Sequence, residues 1–223
     1  MLFRSKITLQ KLYWNPNFIL LILKKSLPYA ILILLMTFYN RIDSVMLERL
    51  LPENGAEQSG IYAQAYRLLD AANMIAFLYA GLLLPMFSHL IKRKQSVEDL
   101  TKLSFALIAV PAVMLAVGCV FHSNELMALL YKHHITESSQ VFSIIICCFI
   151  AISTTYIFGT LLTANGNLKE LNIMAACGMF LNVGLNFYLI PRHYAFGAAI
   201  SSAITQFITA FAQIILSHKK FRF

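Results

Sequence analysis

Charge is scarce in this chain. Asp, Glu, Lys and Arg make up 13% of its 223 residues, and acidic side chains number 10, against about 25% charged residues in a soluble domain. Long polar stretches are missing too, which excludes a separate soluble domain. Cysteine is limited to four residues, Cys119, Cys147, Cys148 and Cys177. All four fall inside apolar segments, where a thiol behaves as a small hydrophobic group, so neither a disulfide framework nor a redox site is indicated. There is no nucleophile–base pair, no Gly-rich phosphate loop and no metal-ligand spacing. His133-His134 lacks a Cys or acidic partner at ligand spacing and reads as part of a polar outer loop. The sequence therefore points away from an enzyme and implies neither a cofactor nor a metal.

Hydrophobic residues, by contrast, reach 59%, and mean hydropathy is +0.69. Apolar runs of about 20 residues, enough to cross a bilayer, recur near 27–49, 60–91, 100–121, 139–163, 168–190 and 196–217. The expected fold is all-α: an integral membrane bundle of six transmembrane helices, with residues 1–25 as a cytoplasmic or interfacial lead and 26–223 as the six-helix lobe. Thirteen of the 18 Lys and Arg flank one side of these spans. Three, Arg49, Lys132 and Arg192, flank the other, and Arg41 and Arg67 lie within spans. By the positive-inside rule both termini are expected in the cytoplasm. The net charge of +8 is thus membrane-flanking and does not mark a nucleic-acid surface.

The lead is not a cleavable signal: Phe18–Leu23 is short, follows a polar stretch and lacks a small-residue cleavage site. With Tyr13-Trp14, Lys11, Lys24 and Lys25 around it, the segment reads either as a helix lying in the membrane interface or as a linker from an upstream region. Pro28 is placed at the opening of the first span, where its missing N–H does no harm. Pro85 and Pro111 fall within spans and remove one helix hydrogen bond each, as hinges or as static kinks. Asn165-Gly166-Asn167 joins the fourth and fifth spans tightly. Small residues, Ala175, Ala176, Gly178 and Gly184 on the fifth span and Gly197–Ala199 and Ser201–Ala203 on the sixth, predict a close hairpin. Asn182 and Asn186, one turn apart, are expected to hydrogen-bond across helices.

Two polar interruptions carry the functional signal: Asn40-Arg41-Ile42-Asp43 and Tyr66-Arg67-Leu68-Leu69-Asp70. Four ionisable groups facing lipid would oppose insertion by about 10–14 kcal/mol. They must pair or face a wet cavity. Asp43 and Arg67 each lie about seven residues from the outer boundary, roughly 10 Å deep at 1.5 Å per residue. The first two spans run antiparallel, so Arg67 is expected to reach Asp43 and Arg41 to reach Asp70. Tyr62, Tyr66, Asp70 and Asn73 form one stripe on the second span; Tyr39, Asn40 and Asp43 share a face of the first, with Arg41 nearly opposite Asp43. The expected cavity residues are Asn40, Arg41, Asp43, Tyr62, Tyr66, Arg67, Asp70 and Asn73. The alternative is a buried ion-pair network that fixes helix register.

Tyr39-Asn40-Arg41-Ile42-Asp43-Ser44-Val45-Met46-Leu47 and Gly60-Ile61-Tyr62-Ala63-Gln64-Ala65-Tyr66-Arg67 resemble the seventh and eighth helices of polysaccharide-type flippases. These belong to the multidrug/oligosaccharidyl-lipid/polysaccharide exporter superfamily. Leu181–Asn186, Leu189-Ile190-Pro191 and Gly197-Ala198-Ala199 are similar to that family's eleventh-to-twelfth helix signature. The family often has Gly a few residues after the Pro, where this chain has Tyr194-Ala195. The resemblance spans about residues 26–217. It implies the second lobe of a two-lobe transporter, as a fragment of a longer product or one half of a split one. The partners implied are a first, N-terminal six-helix lobe or a second copy, membrane lipids and a lipid-linked glycan.

The implied function is movement of a polyprenyl-pyrophosphate-linked oligosaccharide across the cytoplasmic (inner) membrane for cell-surface polysaccharide such as lipopolysaccharide. Arg41 and Arg67 suit a pyrophosphate, which guanidinium binds with two parallel hydrogen bonds. Tyr62 and Tyr66 suit sugar faces, Asn40 and Asn73 suit hydroxyls, and Asp43 and Asp70 suit holding the arginines or carrying protons. Two rivals stand beside it. An ion-driven exporter of cationic small molecules would favour an acidic cavity, whereas here two Arg accompany two Asp. A non-transporting membrane scaffold would keep its charges paired and dry.

Overall fold

The computed structural model describes residues 16–221; Arg4, Lys6, Lys11, Tyr13, Trp14 and Arg222 lie outside the described residues. Six helices follow in order: α1 (Pro16–Leu50), α2 (Gly55–Lys92), α3 (Glu98–Phe121), α4 (Ser123–Leu130), α5 (Ile135–Ala164) and α6 (Leu168–Phe221). No strand occurs among the described residues. By length and composition five of them can cross a membrane, all but α4. The chain is a multi-pass membrane protein.

Two elements differ from the sequence expectation. Helix α1 is continuous from Pro16, with Pro28 inside it and no separate helix at Phe18–Leu23. The flanking residues are Leu, Ile, Lys and Ser without a glycine, so the helix forms on both sides of the ring. A single lost hydrogen bond does not end it, and membrane helices tolerate such interior prolines. The second difference is α4, a short helix where only a loop was expected.

Helix α6 is broken at Tyr194, whose φ of 53° and ψ of −137° are non-helical. The arms on either side, 168–193 and 195–221, each exceed the about 20 residues needed to span. They fold back on each other as a close hairpin: a Cβ on Gly178 would stand 2.9 Å from Thr209 Cγ2. That approach needs glycine. Tyr194 occupies a backbone region that costs a non-glycine residue about 1–3 kcal/mol. The next amide, on Ala195, donates to Gln58 Oε1 at 3.1 Å, which ties the strained turn to α2. At the other end of the bundle Gly166 (φ 81°) makes the α5–α6 turn, and Asn165 Nδ2 donates to Asn167 Oδ1 at 2.6 Å.

Helix α5 is the centre of the bundle. Of its most apolar 18-residue window 61% is buried, against 22% or less in the other spans. It packs on α2, α3, α4 and α6, while α1 lies against α6 and α2. Leu47, Ile61, Leu69, Ile145 and Ile146 form the main core; Phe87, Ile157 and Leu161 form a second one. The most apolar window of α1 has no buried residue, and Asn172 Nδ2 ties the helix to α6 by donating to the Pro28 carbonyl at 3.0 Å.

Candidate functional site

Four helices, α1, α2, α5 and α6, enclose a cavity of about 420 Å³, within the range of about 300–1,000 Å³ typical of small-molecule sites. Asn40, Arg41, Tyr66, Asp70 and Asn73 line it. A smaller cavity of about 250 Å³ adjoins it, sharing Asn40, Arg41, Tyr66 and Asp70 and adding Ser44, Ala63 and Arg67. The polar stripe of α2 therefore faces open space at three of its four positions.

Arg41 Nη2 donates to Asp70 Oδ2 at 3.0 Å, with the two side chains 64% and 41% exposed. The pair forms as the antiparallel register requires. Arg41 Cζ also lies 5.3 Å from the Tyr66 ring centroid, so ring and carboxylate together hold the guanidinium over the cavities. Arg67 is exposed and makes no ion pair among the described residues. Its guanidinium lines the smaller cavity with no hydrogen bond to another side chain among the described residues.

Asp43 has a different environment, and the expected Arg67–Asp43 pair does not form. Only 1% exposed, Asp43 accepts hydrogen bonds from three side chains. Tyr62 Oη donates to Oδ2 at 2.6 Å, Asn186 Nδ2 donates to Oδ1 at 2.6 Å, and Ser202 Oγ donates to Oδ2. Asn186 Nδ2 also donates to Asn182 Oδ1 at 3.0 Å, one turn away on the same helix, so only Asn186 bonds across helices, to Asp43, while Asn182 supports it along α6. The reason is rotational. Two residues along a helix turn the side chain by about 200°, so Arg41 faces the cavity while Asp43 faces the α2–α6 packing. Tyr62 goes with Asp43: it is 1% exposed, stacks on Tyr66 at 5.6 Å, and offers no free face to a sugar. Asp43 and Tyr62 line neither cavity.

Several lining residues escaped the sequence reading. Gln206, Thr209 and Gln213 from α6 and Thr155, Tyr156, Thr160 and Thr163 from α5 form the remaining polar wall. Gln206 Nε2 donates to Asn40 Oδ1 at 3.3 Å. The signal was in the spacing: Ser202, Gln206, Thr209 and Gln213 fall at i, i+4, i+7 and i+11, one helix face. Neutral residues in a span raise no question of an unpaired charge, so they drew no notice. Away from the cavity, His134 Nδ1 lies 3.4 Å from Glu57 Oε1 and 3.8 Å from Glu137 Oε2, acidic neighbours that sequence spacing did not suggest.

Fold and site together define a polytopic helical membrane protein with a polar, arginine-bearing cavity between its helices. Residues 3–91 match a family model described as "Polysaccharide biosynthesis protein", a match that takes in all of the described α1 and nearly all of α2. No curated protein matches the chain.

Proposed function

We propose that this chain is one lobe of a transporter that moves a polyprenyl-pyrophosphate-linked oligosaccharide across the cytoplasmic membrane, and that it acts by transport rather than catalysis. The observation that carries this reading is Arg67, a guanidinium with no counter-ion among the described residues, beside a cavity among membrane-length helices. A free cation there is costly in lipid and suits an anionic headgroup, which it binds bidentately. Arg41 adds a second guanidinium held by Asp70, whose carboxylate a competing pyrophosphate would displace. In this reading the two arms of α6 count as separate spans beside α1, α2, α3 and α5, the Lys/Arg bias puts both termini on the cytoplasmic side, and the lobe faces a first six-helix lobe or a second copy. The polysaccharide-biosynthesis match over α1 and α2 supports the cargo class.

The test is Arg67→Ala in the complete transporter. At normal membrane levels it should abolish surface polysaccharide; unchanged polymer would remove Arg67 from the route and take the main support from the proposal.

A further inference from the structure

The larger cavity is chemically two-sided along its length. Its charged end holds Arg41 and Asp70. From Thr155 to Thr163 the α5 wall continues for eight residues, about 12 Å, toward the end of the bundle that bears the α5–α6 turn. Among the described residues Asp70 and Arg41 are its only charged lining groups, so the stretch beyond them is lined by neutral side chains.

This uncharged end presents neutral polar groups: spent hydroxyls and amide oxygens that accept, beside the Tyr39 and Thr155 hydroxyls, which have no hydrogen-bond partner among the described residues. Thr160 Oγ1 donates to the Tyr156 carbonyl at 2.5 Å, Thr163 Oγ1 to the Gly159 carbonyl at 2.7 Å, and Thr209 Oγ1 to the Thr205 carbonyl at 2.9 Å. Each hydroxyl has spent its proton on its own helix, leaving oxygen lone pairs. Gln213 is 7% exposed, and its Oε1 has no hydrogen-bond partner among the described residues, nor has Asn73 Oδ1 or Thr155 Oγ1. Buried polar atoms without a partner are costly unless a ligand's hydrogen-bonding groups reach them. Gly159 faces Gln213: a Cβ there would come 3.0 Å from Gln213 Oε1, so the missing side chain keeps the space before that oxygen open.

A phosphate or carboxylate finds no cation on such a wall, whereas a molecule rich in O–H groups, which both donate and accept, would satisfy its acceptors and its free hydroxyls alike. We infer that the Gly159–Thr160–Gln213 end of the cavity is a subsite for a neutral, hydroxyl-rich sugar residue, separate from the arginine end that takes the anionic group. The inference rests on the transport reading above and deepens it: the cargo enters with its pyrophosphate at Arg41 and Arg67 and its first neutral sugars against the α5–α6 wall.

Thiol protection separates the two ideas. In the reconstituted complete transporter, with the four native cysteines replaced by alanine, Thr160→Cys reports the neutral end and Ala63→Cys, in the smaller cavity, the arginine end. The probes are polyprenyl pyrophosphate bearing N,N′-diacetylchitobiose and bare polyprenyl pyrophosphate. At about nine times its dissociation constant the sugar-bearing probe should slow labelling of both cysteines roughly tenfold, since one site in about ten stays open. The bare probe should protect Ala63→Cys alone. Gln213→Leu should cut protection at position 160 while leaving it at position 63, which also shows that the variant is folded. Protection of position 63 with none at 160, or equal protection of 160 by both probes, would overturn the sugar subsite and leave the transport reading standing. Protection of neither position by either probe would bring down both.

Discussion

Arg41 and Asp43 are two residues apart on α1, yet one is 64% exposed at its side chain and the other is sealed at 1%. Each charge is retained for a different physical reason. The sealed side holds three helices together through a carboxylate with three donors. On the open side, a guanidinium is propped by a carboxylate and a ring and can be given up to a ligand. Charge in a membrane helix is therefore not one signal but two, and exposure sorts them.

The largest effect expected from breaking this contrast is Asp43→Ala. It strands the donors of Tyr62, Asn186 and Ser202, each costing roughly 1–3 kcal/mol when unpaired. The melting temperature in detergent should fall sharply and folded protein in the membrane should drop. Melting close to that of the unmodified protein would show that the Asp43 cluster does not hold the helices. Next comes Tyr62→Phe, which removes one bond to the carboxylate and should cost about 1.5–3 kcal/mol, read by the same melting assay.

A smaller effect of opposite sign is expected at Tyr194→Gly. Relief of about 1–3 kcal/mol of backbone strain exceeds the about 0.5–1 kcal/mol of added chain entropy, so the hairpin that brings Ser202 and Asn186 to Asp43 should melt slightly higher. The smallest effect belongs to the open pair. A double-mutant cycle of Arg41→Ala and Asp70→Ala should give a coupling of about 1 kcal/mol or less, although either change should impair transport. Coupling as large as the Asp43 effects would erase the distinction between the two sides.

Much of the scaffold was legible in the residues. Runs of apolar residues of membrane length located the helices, the small faces around Gly178 and Ala198 announced the α6 hairpin, and Asn165-Gly166-Asn167 announced the separate turn between α5 and α6. Antiparallel register sufficed for Arg41–Asp70, because two helices joined by a short loop bring equal depths together. The same depth argument failed for Arg67–Asp43: depth fixes height but not which way a side chain points. The Thr and Gln wall was overlooked for another reason, since neutral polar residues in a hydrophobic span are compatible with simple packing.

Composition and span length alone determined that this is a membrane protein built from helices, because oil leaves the backbone no other way to satisfy its hydrogen bonds in so apolar a chain. Tertiary structure alone decided which charges are open and which are sealed. Helix rotation and the return of the α6 arms set that outcome, and both follow from contacts between residues more than a hundred positions apart, Asp43 with Asn186 and Ser202, which local sequence cannot express.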